Sequence, residues 1–382
     1  MVSFRIALAI ISFPTPTFVS SFAGIATIAK PEQVQQALSF FLENPEAAKV
    51  TPTSSGVNNV VQYVETADGK DLILRIYNNG CNTAAVEYEH AILEKIDRSS
   101  LPFQVPQYIP SLPAAGTDSV TNSGKTMMEL SSGTQCCMCL RIPGVLPKTS
   151  DPKPLGRATG QLMKAMEKIH LDLQPPIAPY YRVYDVHKAI GGDKTKFYNY
   201  CQGPDFDSCR AGIESLCRAL QHIDAAVETM LSQEGKDRLP QQIIHGDLHY
   251  DNVLCDAATG DVTGLLDFEF CTMDWRAMEV AVCLSKYVGE EDPFPLVDSF
   301  IDGYCEHGEL TEAECRGLPD MINLRVLSNC VYFVGRALSG QDTIASLTTR
   351  ADMYAQRVIW VNENKDRITE CVAKRMREKG VF

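Results

Sequence analysis

Three polar side chains in the second half of the chain have the types and the order that phosphoryl transfer requires. Asp247 comes first, Asn252 follows five positions later, and Asp267 follows fifteen positions after that. In such a reaction one carboxylate orients the attacking hydroxyl, while an amide oxygen and a second carboxylate hold Mg²⁺ against the phosphates of a nucleotide. The order therefore predicts Asp247 as the catalytic base, with Asn252 and Asp267 as metal ligands.

A further carboxylate follows closely. Glu269 lies two residues after Asp267, so both side chains face the same side if this segment is a strand. Mg²⁺ prefers oxygen ligands and keeps several waters, so two or three protein oxygens suffice to hold it. We therefore expect Glu269 to contact a second ion or a metal-bound water.

Two apolar segments position these side chains. Ile243-Ile-His-Gly-Asp-Leu-His-Tyr-Asp-Asn-Val-Leu254 and Leu265-Leu-Asp-Phe-Glu269 each place β-branched or aliphatic residues beside a polar turn, which is typical of strand ends. Between them, Asp256-Ala-Ala-Thr-Gly-Asp261 is a turn pattern. The whole segment is therefore predicted to form a hairpin-like catalytic loop.

The series His245-Gly-Asp247, Asn252 and Asp267 resembles the catalytic core of the aminoglycoside phosphotransferase and choline kinase superfamily. The resemblance is specific over residues 240–285 and weaker elsewhere. It implies an α+β, two-lobed protein-kinase-like fold with a small β-rich N-lobe and a larger, mainly helical C-lobe, and it implies ATP and Mg²⁺ as cofactors. The alternative, an ordinary turn followed by a strand end, does not explain why order, spacing and flanking residues all match.

The region ahead of this core predicts a hairpin that covers the nucleotide. Residues 54–64 and Asp71-Leu-Ile-Leu-Arg-Ile-Tyr77 are strand patterns joined by the turn Ala67-Asp-Gly-Lys70. In a kinase-like N-lobe this hairpin covers the phosphates, which makes Ser55 and Gly56 candidate nucleotide-binding residues. Taken without the downstream motif, the loop has a single glycine and indicates only an ordinary hairpin.

Arg75 stands where the family usually has a phosphate-pairing lysine. The resemblance implies that Arg75 pairs with Glu89, which lies in a helix predicted over residues 83–96. A guanidinium can make such a pair through two nitrogens, although its planar fork differs from the point charge of a lysine. The alternative is that Arg75 is an ordinary strand residue whose side chain extends to solvent.

Three regions follow from these patterns and from the resemblance. Residues 1–30 contain no acidic residue and one short apolar stretch, which is typical of a leader segment or of a disordered terminus. Residues 31–143 are predicted as the N-lobe, and residues 144–382 as the C-lobe with the catalytic loop and a helical substrate-binding region. The first region leaves two locations open: the cytoplasm, or an organelle such as a plastid if it is a targeting peptide.

Composition narrows the class of protein. The 382 residues, of which 45% are hydrophobic and 22% charged, suffice for two lobes of a globular protein. The formal net charge of −13 argues against a nucleic-acid partner, and no apolar segment is long enough to be a transmembrane helix. The 14 cysteines are spread from Cys81 to Cys371, often within apolar segments, which is typical of reduced thiols and favours the cytoplasm. No pattern specifies an oligomeric state.

The rest of the C-lobe is predicted to be helical. Apolar periodicity predicts four helices after the catalytic core, over residues 295–307, 311–318, 321–338 and 349–374. Asp274 and Glu279 stand where the family usually has two Asp residues at the start of a helix. We expect either of them to cap that helix and to hydrogen-bond the catalytic loop.

The predicted phosphate acceptor is a hydroxyl group of a small molecule. The segments 245–254 and 264–270 look most like those of homoserine kinases with this fold, and Gly246 counts against choline kinases, which usually have Asn there. Homoserine is therefore the favoured acceptor. The alternatives are an aminoglycoside, an amino sugar or fructosamine, choline or ethanolamine, and hydroxylysine. A catalytically silent ATP-binding scaffold is a third possibility, against which the intact Asp247, Asn252 and Asp267 argue.

A zwitterionic acceptor such as homoserine needs a guanidinium for its carboxylate and an acid for its ammonium group. Arg276, Arg325 and Arg336 lie in the right region of the chain. Each is better explained as a surface or structural arginine, so none is assigned to the site.

Overall fold

The computed structural model of the protein describes residues 29–53, 59–78, 82–113 and 124–382. The candidate nucleotide-binding residues Ser55 and Gly56, and almost all of the predicted leader, lie outside these ranges. No helix within the ranges is long and apolar enough to cross a membrane.

The first part of the described chain forms a five-stranded sheet and two helices. These elements are α1 Pro31–Phe41, β1 Lys49–Pro52, β2 Val60–Glu65, β3 Asp71–Ile76, α2 Thr83–Lys95, β4 Met127–Glu129 and β5 Gln135–Leu140. The strand order is β1-β2-β3-β5-β4, and each neighbouring pair is antiparallel. We call this part the N-terminal lobe.

The alternation of side chains along β3 determines which residues face the hydrophobic core and which face the candidate active site. Leu74 and Ile76 are buried in one cluster with Leu38 of α1, so their side of the sheet is a hydrophobic core. Arg75, between them, points to the other side, where it meets Glu89 of α2. Because successive strand residues face opposite sides, the apolar pattern of β3 alone directs the guanidinium away from the core.

The second part of the described chain, the C-terminal lobe, is mainly helical. Its elements are α3 Lys153–Met166, α4 Lys194–Cys201, α5 Arg210–Leu231, β6 Gln241–Ile244, β7 Val253–Cys255, β8 Val262–Leu265, β9 Thr272–Trp275, α6 Ala277–Tyr287, α7 Pro293–Tyr304, α8 Glu312–Leu338, α9 Ile344–Glu363 and α10 Lys365–Glu378. Most residues of α8 are buried, because it packs against α5, α6, α9 and α10. This helix is the centre of the helical core.

Four short strands hold the catalytic segment. Strands β6 and β9 pair antiparallel, and β7 and β8 form an antiparallel hairpin. The chain between β6 and β7 carries Asp247 and Asn252, and the chain between β8 and β9 carries Asp267 and Glu269. The predicted hairpin-like arrangement is present, and it brings the two connections together.

Two predicted helix boundaries in the C-terminal lobe are wrong. Helix α8 runs straight through Pro319, where the sequence suggested two separate helices over 311–318 and 321–338. Pro319 is itself buried, and packing on four neighbouring helices outweighs the cost of the backbone hydrogen bond that a proline cannot donate. Conversely, the single helix predicted over 349–374 is two helices, α9 and α10, which meet at Asn364.

Candidate active site

The turn after β6 depends on a glycine. Gly246 has φ +79°, and a Cβ atom at this position would lie 2.5 Å from the carbonyl oxygen of Phe270. Its neighbour His245 is fully buried and is held on both ring nitrogens: Nε2 lies 2.9 Å from the carbonyl oxygen of Leu266, and Nδ1 accepts from the backbone N–H of Asp247 at 3.3 Å. His245 therefore acts as a scaffold that sets the backbone direction of Asp247.

The predicted base Asp247 lies at the centre of several polar contacts. Its Oδ1 accepts from Nη2 of Arg325 at 2.5 Å, and its Oδ2 lies 3.5 Å from Nε2 of His249. Nδ2 of Asn252 donates to the Asp247 carbonyl oxygen at 2.8 Å and lies 3.4 Å from Oδ2. The two carboxylate oxygens thus face different partners, with Arg325 at one and with Asn252 and His249 at the other.

These partners keep Asp247 ionised. Burial raises the pKa of its carboxyl, but the hydrogen bond from His249 and the positive charges of Arg325 and Lys286 outweigh that effect. The resulting pKa lies well below the ordinary value of an aspartate. Such a carboxylate is a weak base that can still orient a hydroxyl and accept its proton late in the reaction.

Asp267 follows β8 in an unusual backbone conformation. At φ 65° and ψ 62° it is the one non-glycine residue with a positive φ in the described ranges. Left-handed backbone costs an ordinary residue free energy, although Asp tolerates it better than most. The preceding residue, Leu266, donates its N–H to the carbonyl oxygen of Asn252 at 2.9 Å. This bond places the two predicted metal ligands side by side.

Arg75 joins the lobes through three carboxylates. Its Nη1 lies 3.0 Å from Glu89, while its Nη2 lies 2.7 Å from Asp267 and 2.8 Å from Glu269. The side chain is only 12% exposed, so it does not extend to solvent. The pair between Arg75 and Glu89 that the resemblance implied is present, and the contacts to Asp267 and Glu269 were not foreseen.

Glu89 is held by two tyrosines as well as by Arg75. Its Oε1 accepts from the hydroxyl of Tyr108 at 2.7 Å, and its Oε2 accepts from the hydroxyl of Tyr77 at 3.2 Å. Burial raises the pKa of the Glu89 carboxyl, and the charge of Arg75 opposes this rise. The two tyrosines and Arg75 thus hold the Glu89 carboxylate in place, and the carboxylate in turn positions the Arg75 guanidinium.

Asn59 is a site residue that the sequence did not reveal. Its Nδ2 donates to Oε2 of Glu269 at 2.7 Å, and its Oδ1 accepts from the backbone N–H of Asn78 at 3.0 Å. Asn59 stands immediately before β2, at the end of the predicted phosphate loop. It ties the start of the nucleotide-covering hairpin to the catalytic segment.

The oxygen donors fit a hard divalent cation. Asn252 uses Nδ2 toward Asp247, which leaves its Oδ1 as the available acceptor, and the backbone bond from Leu266 to Asn252 brings the neighbouring Asp267 to the same region. No group of three or more His, Cys, Asp or Glu residues that could enclose a metal ion occurs among the described residues. Asn252 Oδ1 and the Asp267 carboxylate are oxygen donors of the kind that Mg²⁺ takes, and this ion fills its remaining positions with phosphate and water oxygens.

Comparison with known proteins identifies the family. The profile of the phosphotransferase enzyme family (APH) matches residues 49–318, well over half of the chain. The chain belongs to this family. It is a small-molecule kinase, as predicted, and kinase-like members of the family use ATP and a divalent metal.

Relatives with known names and structures agree with this assignment. A homoserine kinase of Acidiphilium cryptum (strain JF-5) is 28% identical over 298 residues, which cover 75% of this chain and 82% of that protein. The structure of a microcompartment-associated aminopropanol kinase superposes with a TM-score of 0.66 at 18% identity, covering 88% of this chain and 97% of the other. An amicoumacin kinase in complex with AMP-PNP, Ca²⁺ and its ligand superposes with a TM-score of 0.61 at 16% identity, covering 89% and 94%. These structures confirm the predicted two-lobed, protein-kinase-like α+β fold.

Glu279 of α6 hydrogen-bonds the backbone of the catalytic loop of this phosphotransferase. Its Oε2 accepts hydrogen bonds from the backbone N–H groups of His245 and Gly246, the second at 3.3 Å. Burial raises the pKa of its carboxyl to about 7, and the two backbone hydrogen bonds oppose this rise. The predicted contact of Glu279 with the catalytic loop is therefore present.

The predicted cap of the following helix is absent. Arg276 precedes α6, and its side chain makes no capping hydrogen bond. Asp274 instead accepts from the backbone N–H of Tyr180 at 2.5 Å and of Trp275 at 2.7 Å. Burial raises the pKa of Asp274 to about 7. Its role is to fix the loop that carries Tyr180.

Of the three arginines considered from the sequence, Arg325 alone reaches the catalytic loop. Arg276 forms an ion pair with the buried Glu314, and Arg336 pairs with Asp342. Arg325 contacts Asp247, and its guanidinium carbon lies 5.5 Å from the ring centre of Tyr180. Arg325 is therefore not a surface arginine, because its side chain is mostly buried against the catalytic loop.

Proposed function

We propose that this phosphotransferase transfers the γ-phosphoryl group of Mg·ATP to the hydroxyl of a small metabolite, with homoserine as the acceptor. One observation carries the proposal: Asn252 hydrogen-bonds Asp247 within one connection, and its carbonyl oxygen accepts from Leu266, the neighbour of Asp267, in the other. This is the set of oxygen donors that phosphoryl transfer requires, and each member has a distinct surrounding.

Asp247 binds the acceptor hydroxyl in this proposal. The hydroxyl oxygen forms a bond to the γ-phosphorus, the bond from that phosphorus to the bridging oxygen breaks, and ADP leaves. The hydroxyl proton passes to Asp247. Since the pKa of this carboxyl is well below its ordinary value, the proton moves late, when the hydroxyl has become acidic. This timing fits a loose transition state with little bond formation to the nucleophile.

Asn252, Asp267 and Glu269 hold the metal ion in this proposal, with Asn252 Oδ1 and the two carboxylates as ligands. Bound Mg²⁺ neutralises charge on the phosphates and keeps them oriented. Arg75 contacts both Asp267 and Glu269, so it orients these carboxylates and adds positive charge where the phosphates would lie. Glu89, Tyr77 and Tyr108 serve to hold Arg75 in place.

Homoserine is favoured over other alcohols by two kinds of support. Curated relatives that span most of the chain, such as the Acidiphilium cryptum protein, are homoserine kinases, although their identities are low. The aminopropanol and amicoumacin kinases resemble this chain in fold only, at 18% and 16% identity. The arginine at Asp247 gives independent support, because it offers a partner for a carboxylate close to the reacting hydroxyl.

The test is ADP release from Mg·ATP by the purified full chain with a panel of alcohols: homoserine, hydroxylysine, choline, ethanolamine, a fructosyl-amine and kanamycin. We expect homoserine to give the highest kcat/KM. A higher kcat/KM for another alcohol of the panel would make that compound the acceptor in place of homoserine, while the assignment as a kinase would stand. ATP binding without phosphorylation of any member would contradict the proposed reaction on these acceptors.

A further inference from the structure

Arg325 contacts Asp247 directly, and two further cations from other helices follow it: Lys286 lies near Asp247 and Arg325, and Arg357 lies near Lys286. Lys286 belongs to α6, Arg325 to α8 and Arg357 to α9. Lys286 lies close enough to Asp247, Arg325 and Arg357 for their charges to shift its pKa. These residues are far apart in the sequence, and only the packing of α8 against α6 and α9 brings them together. We call the three residues the cation cluster.

The cation cluster has more positive charge than the protein neutralises. Arg325 pairs with Asp247, whereas Lys286 and Arg357 form no ion pair within the described ranges. The buried Nε atoms of Arg325 and Arg357 have no hydrogen-bond acceptor among the described residues. Asp251, the next carboxylate, has a side chain that is 44% exposed and directed at His249. The charge of Glu290 acts on Arg357, and those of Asp247 and Asp251 act on Lys286, but among the described residues only Arg325 of the cluster forms an ion pair, so the cluster can accept a further anion.

Buried cations without partners are costly, so such an arrangement is unusual in a purely structural role. Burial lowers the pKa of both Lys286 and Arg357, which reflects the same cost. An anion placed among the three side chains would relieve it. Arg325 offers a bidentate position for this purpose, because its Nε–H is unpartnered and adjoins the nitrogen that contacts Asp247.

The position of the cluster distinguishes an acceptor anion from a nucleotide phosphate. Arg325 contacts Oδ1 of Asp247, whereas Asn252, a proposed metal ligand, lies at Oδ2. The proposed phosphate side is therefore the other side of the same carboxylate. Tyr180 adds to the acceptor side, because its hydroxyl donates to the Gly246 carbonyl oxygen at 2.6 Å and its ring lies beside the Arg325 guanidinium.

We propose that Lys286, Arg325 and Arg357 bind a carboxylate group of the phosphate acceptor, so that the acceptor class is a small hydroxy acid. This inference rests on the proposed kinase function and narrows it. Arg325 touches the same carboxylate that would receive the hydroxyl, so the acid and alcohol groups of the acceptor are separated by only a few bonds. Cationic alcohols without a carboxylate, such as choline or kanamycin, do not meet this requirement.

The carboxylate of the acceptor also frees Asp247. In the structure Oδ1 of Asp247 is engaged by Arg325 at 2.5 Å. A carboxylate that takes over the guanidinium leaves Oδ1 available to the acceptor hydroxyl. Binding of the correct acid is thereby coupled to release of the base, and an acceptor of similar size without the acid would leave the ion pair intact.

The experiment compares L-homoserine with its carboxamide, which keeps the hydroxyl and the ammonium group. In the full-length wild type we expect kcat/KM for the acid to exceed that for the amide by on the order of 10- to 100-fold, the usual range for hydrogen bonds to a charged group. Arg325→Met should reduce this ratio by about tenfold or more, because the acid loses its charged partner. Any effect of the substitution on Asp247 acts on both acceptors alike and cancels in the ratio. Arg336→Met, on the same helix but paired with Asp342, is the matched control and should keep the ratio.

Lys286→Met provides a second variant in case Arg325→Met does not fold, as judged by thermal unfolding, and it should lower the ratio in the same direction. An unchanged ratio in either folded variant overturns the inference. Equal use of acid and amide by the wild type, or phosphorylation of alcohols without a carboxylate alone, overturns it while the kinase function stands. If no alcohol is phosphorylated, the proposed function fails. The carboxylate site is then tested separately by calorimetry, which compares the affinities of the acid and of the amide for the protein in complex with Mg²⁺ and AMP-PNP. Equal affinities would overturn the inference.

Discussion

The two ends of the candidate site have opposite charge balances. At the nucleotide end one guanidinium, that of Arg75, faces the three carboxylates of Glu89, Asp267 and Glu269. At the acceptor end one carboxylate, that of Asp247, pairs with Arg325 of the cation cluster, and Lys286 and Arg357 add further positive charge. The segment 245–269 thus supplies two of the three anions at one end, Asp267 and Glu269, and the single anion at the other.

This difference indicates what each end binds. An excess of carboxylates is suited to a metal ion, and an excess of cations is suited to an organic anion. Neither balance is visible in the net charge of −13, which describes the surface as a whole. Substitutions that change one end and leave the other intact therefore separate the two roles.

The largest effect is expected at the single anion of the acceptor end. Asp247→Asn keeps the size of the side chain but removes the acceptor for the hydroxyl proton, so kcat should fall by on the order of 10²- to 10⁴-fold. Affinity for AMP-PNP, measured by calorimetry, should change little. Asp256→Asn, in the exposed turn between β7 and β8, is the control. Unchanged turnover in the Asp247 variant would remove it from the reaction.

The next effect is expected at the single cation of the nucleotide end. Arg75→Met leaves Glu89, Asp267 and Glu269 without their shared partner, which should lower the free energy of unfolding by roughly 3–5 kcal/mol. Arg141→Met removes a half-exposed pair at the sheet surface and should cost less than about 1 kcal/mol. Chemical denaturation measures both values. Equal losses would mean that the three carboxylates do not depend on Arg75.

A smaller effect is expected at Asp267, and it should distinguish metal binding from recognition of the acceptor by Arg325. Asp267→Asn removes one negative charge beside Asn252, so the Mg²⁺ concentration that gives half-maximal activity should rise by about tenfold or more. The same variant should leave the acid-to-amide preference unchanged, because that preference is assigned to the other end. An unchanged metal requirement would exclude Asp267 as a ligand.

The last effect, on stability and not on the reaction, concerns Glu279, which holds the backbone just before Asp247. Glu279→Gln keeps an oxygen for the His245 and Gly246 N–H groups, whereas Glu279→Ala leaves them unpaired and should cost about 1–3 kcal/mol of stability. The pKa of Glu279 is raised from 4.5 to about 7, so the folded protein holds this proton over a range where the unfolded chain has lost it. Stability should therefore fall as the pH rises from 4.5 through about 7.

The Gln variant has no such proton and isolates this contribution. The difference in unfolding free energy between wild type and Glu279→Gln should shift in favour of the variant by up to ~3 kcal/mol over the same pH window. Asp274, whose pKa is also about 7, is present in both proteins and cancels in the difference. A difference that does not vary with pH would mean that Glu279 stays ionised in the fold.

The sequence predicts the catalytic segment well because its information is local. Asp247, Asn252 and Asp267 lie within about twenty residues, between short apolar strands, and the structure brings the three together. Arg75 and Glu89 are recognised by resemblance and meet as a pair. Such positions need only strand alternation and a turn that a glycine permits, both of which the residue types indicate.

The acceptor end could not be predicted in the same way. Arg325 stands 78 residues from Asp247 in the middle of α8, and an arginine in a helix has no local signature of its partner. The continuation of α8 through Pro319 could not be predicted either, because it depends on packing against neighbouring helices. The position of Arg325 beside Asp247, to which we assign recognition of the acceptor, is therefore set by tertiary packing, which a single sequence does not state.

The proposed phosphorylation of homoserine is tested directly by identifying the reaction product. Wild-type protein incubated with Mg·ATP and L-homoserine should form ADP and a phosphate monoester of homoserine in equal amounts, as measured by ³¹P NMR alongside ADP release. Asp247→Asn should form neither at a comparable rate. ADP released with inorganic phosphate in place of the monoester, or a monoester formed equally fast by the variant, would contradict the account.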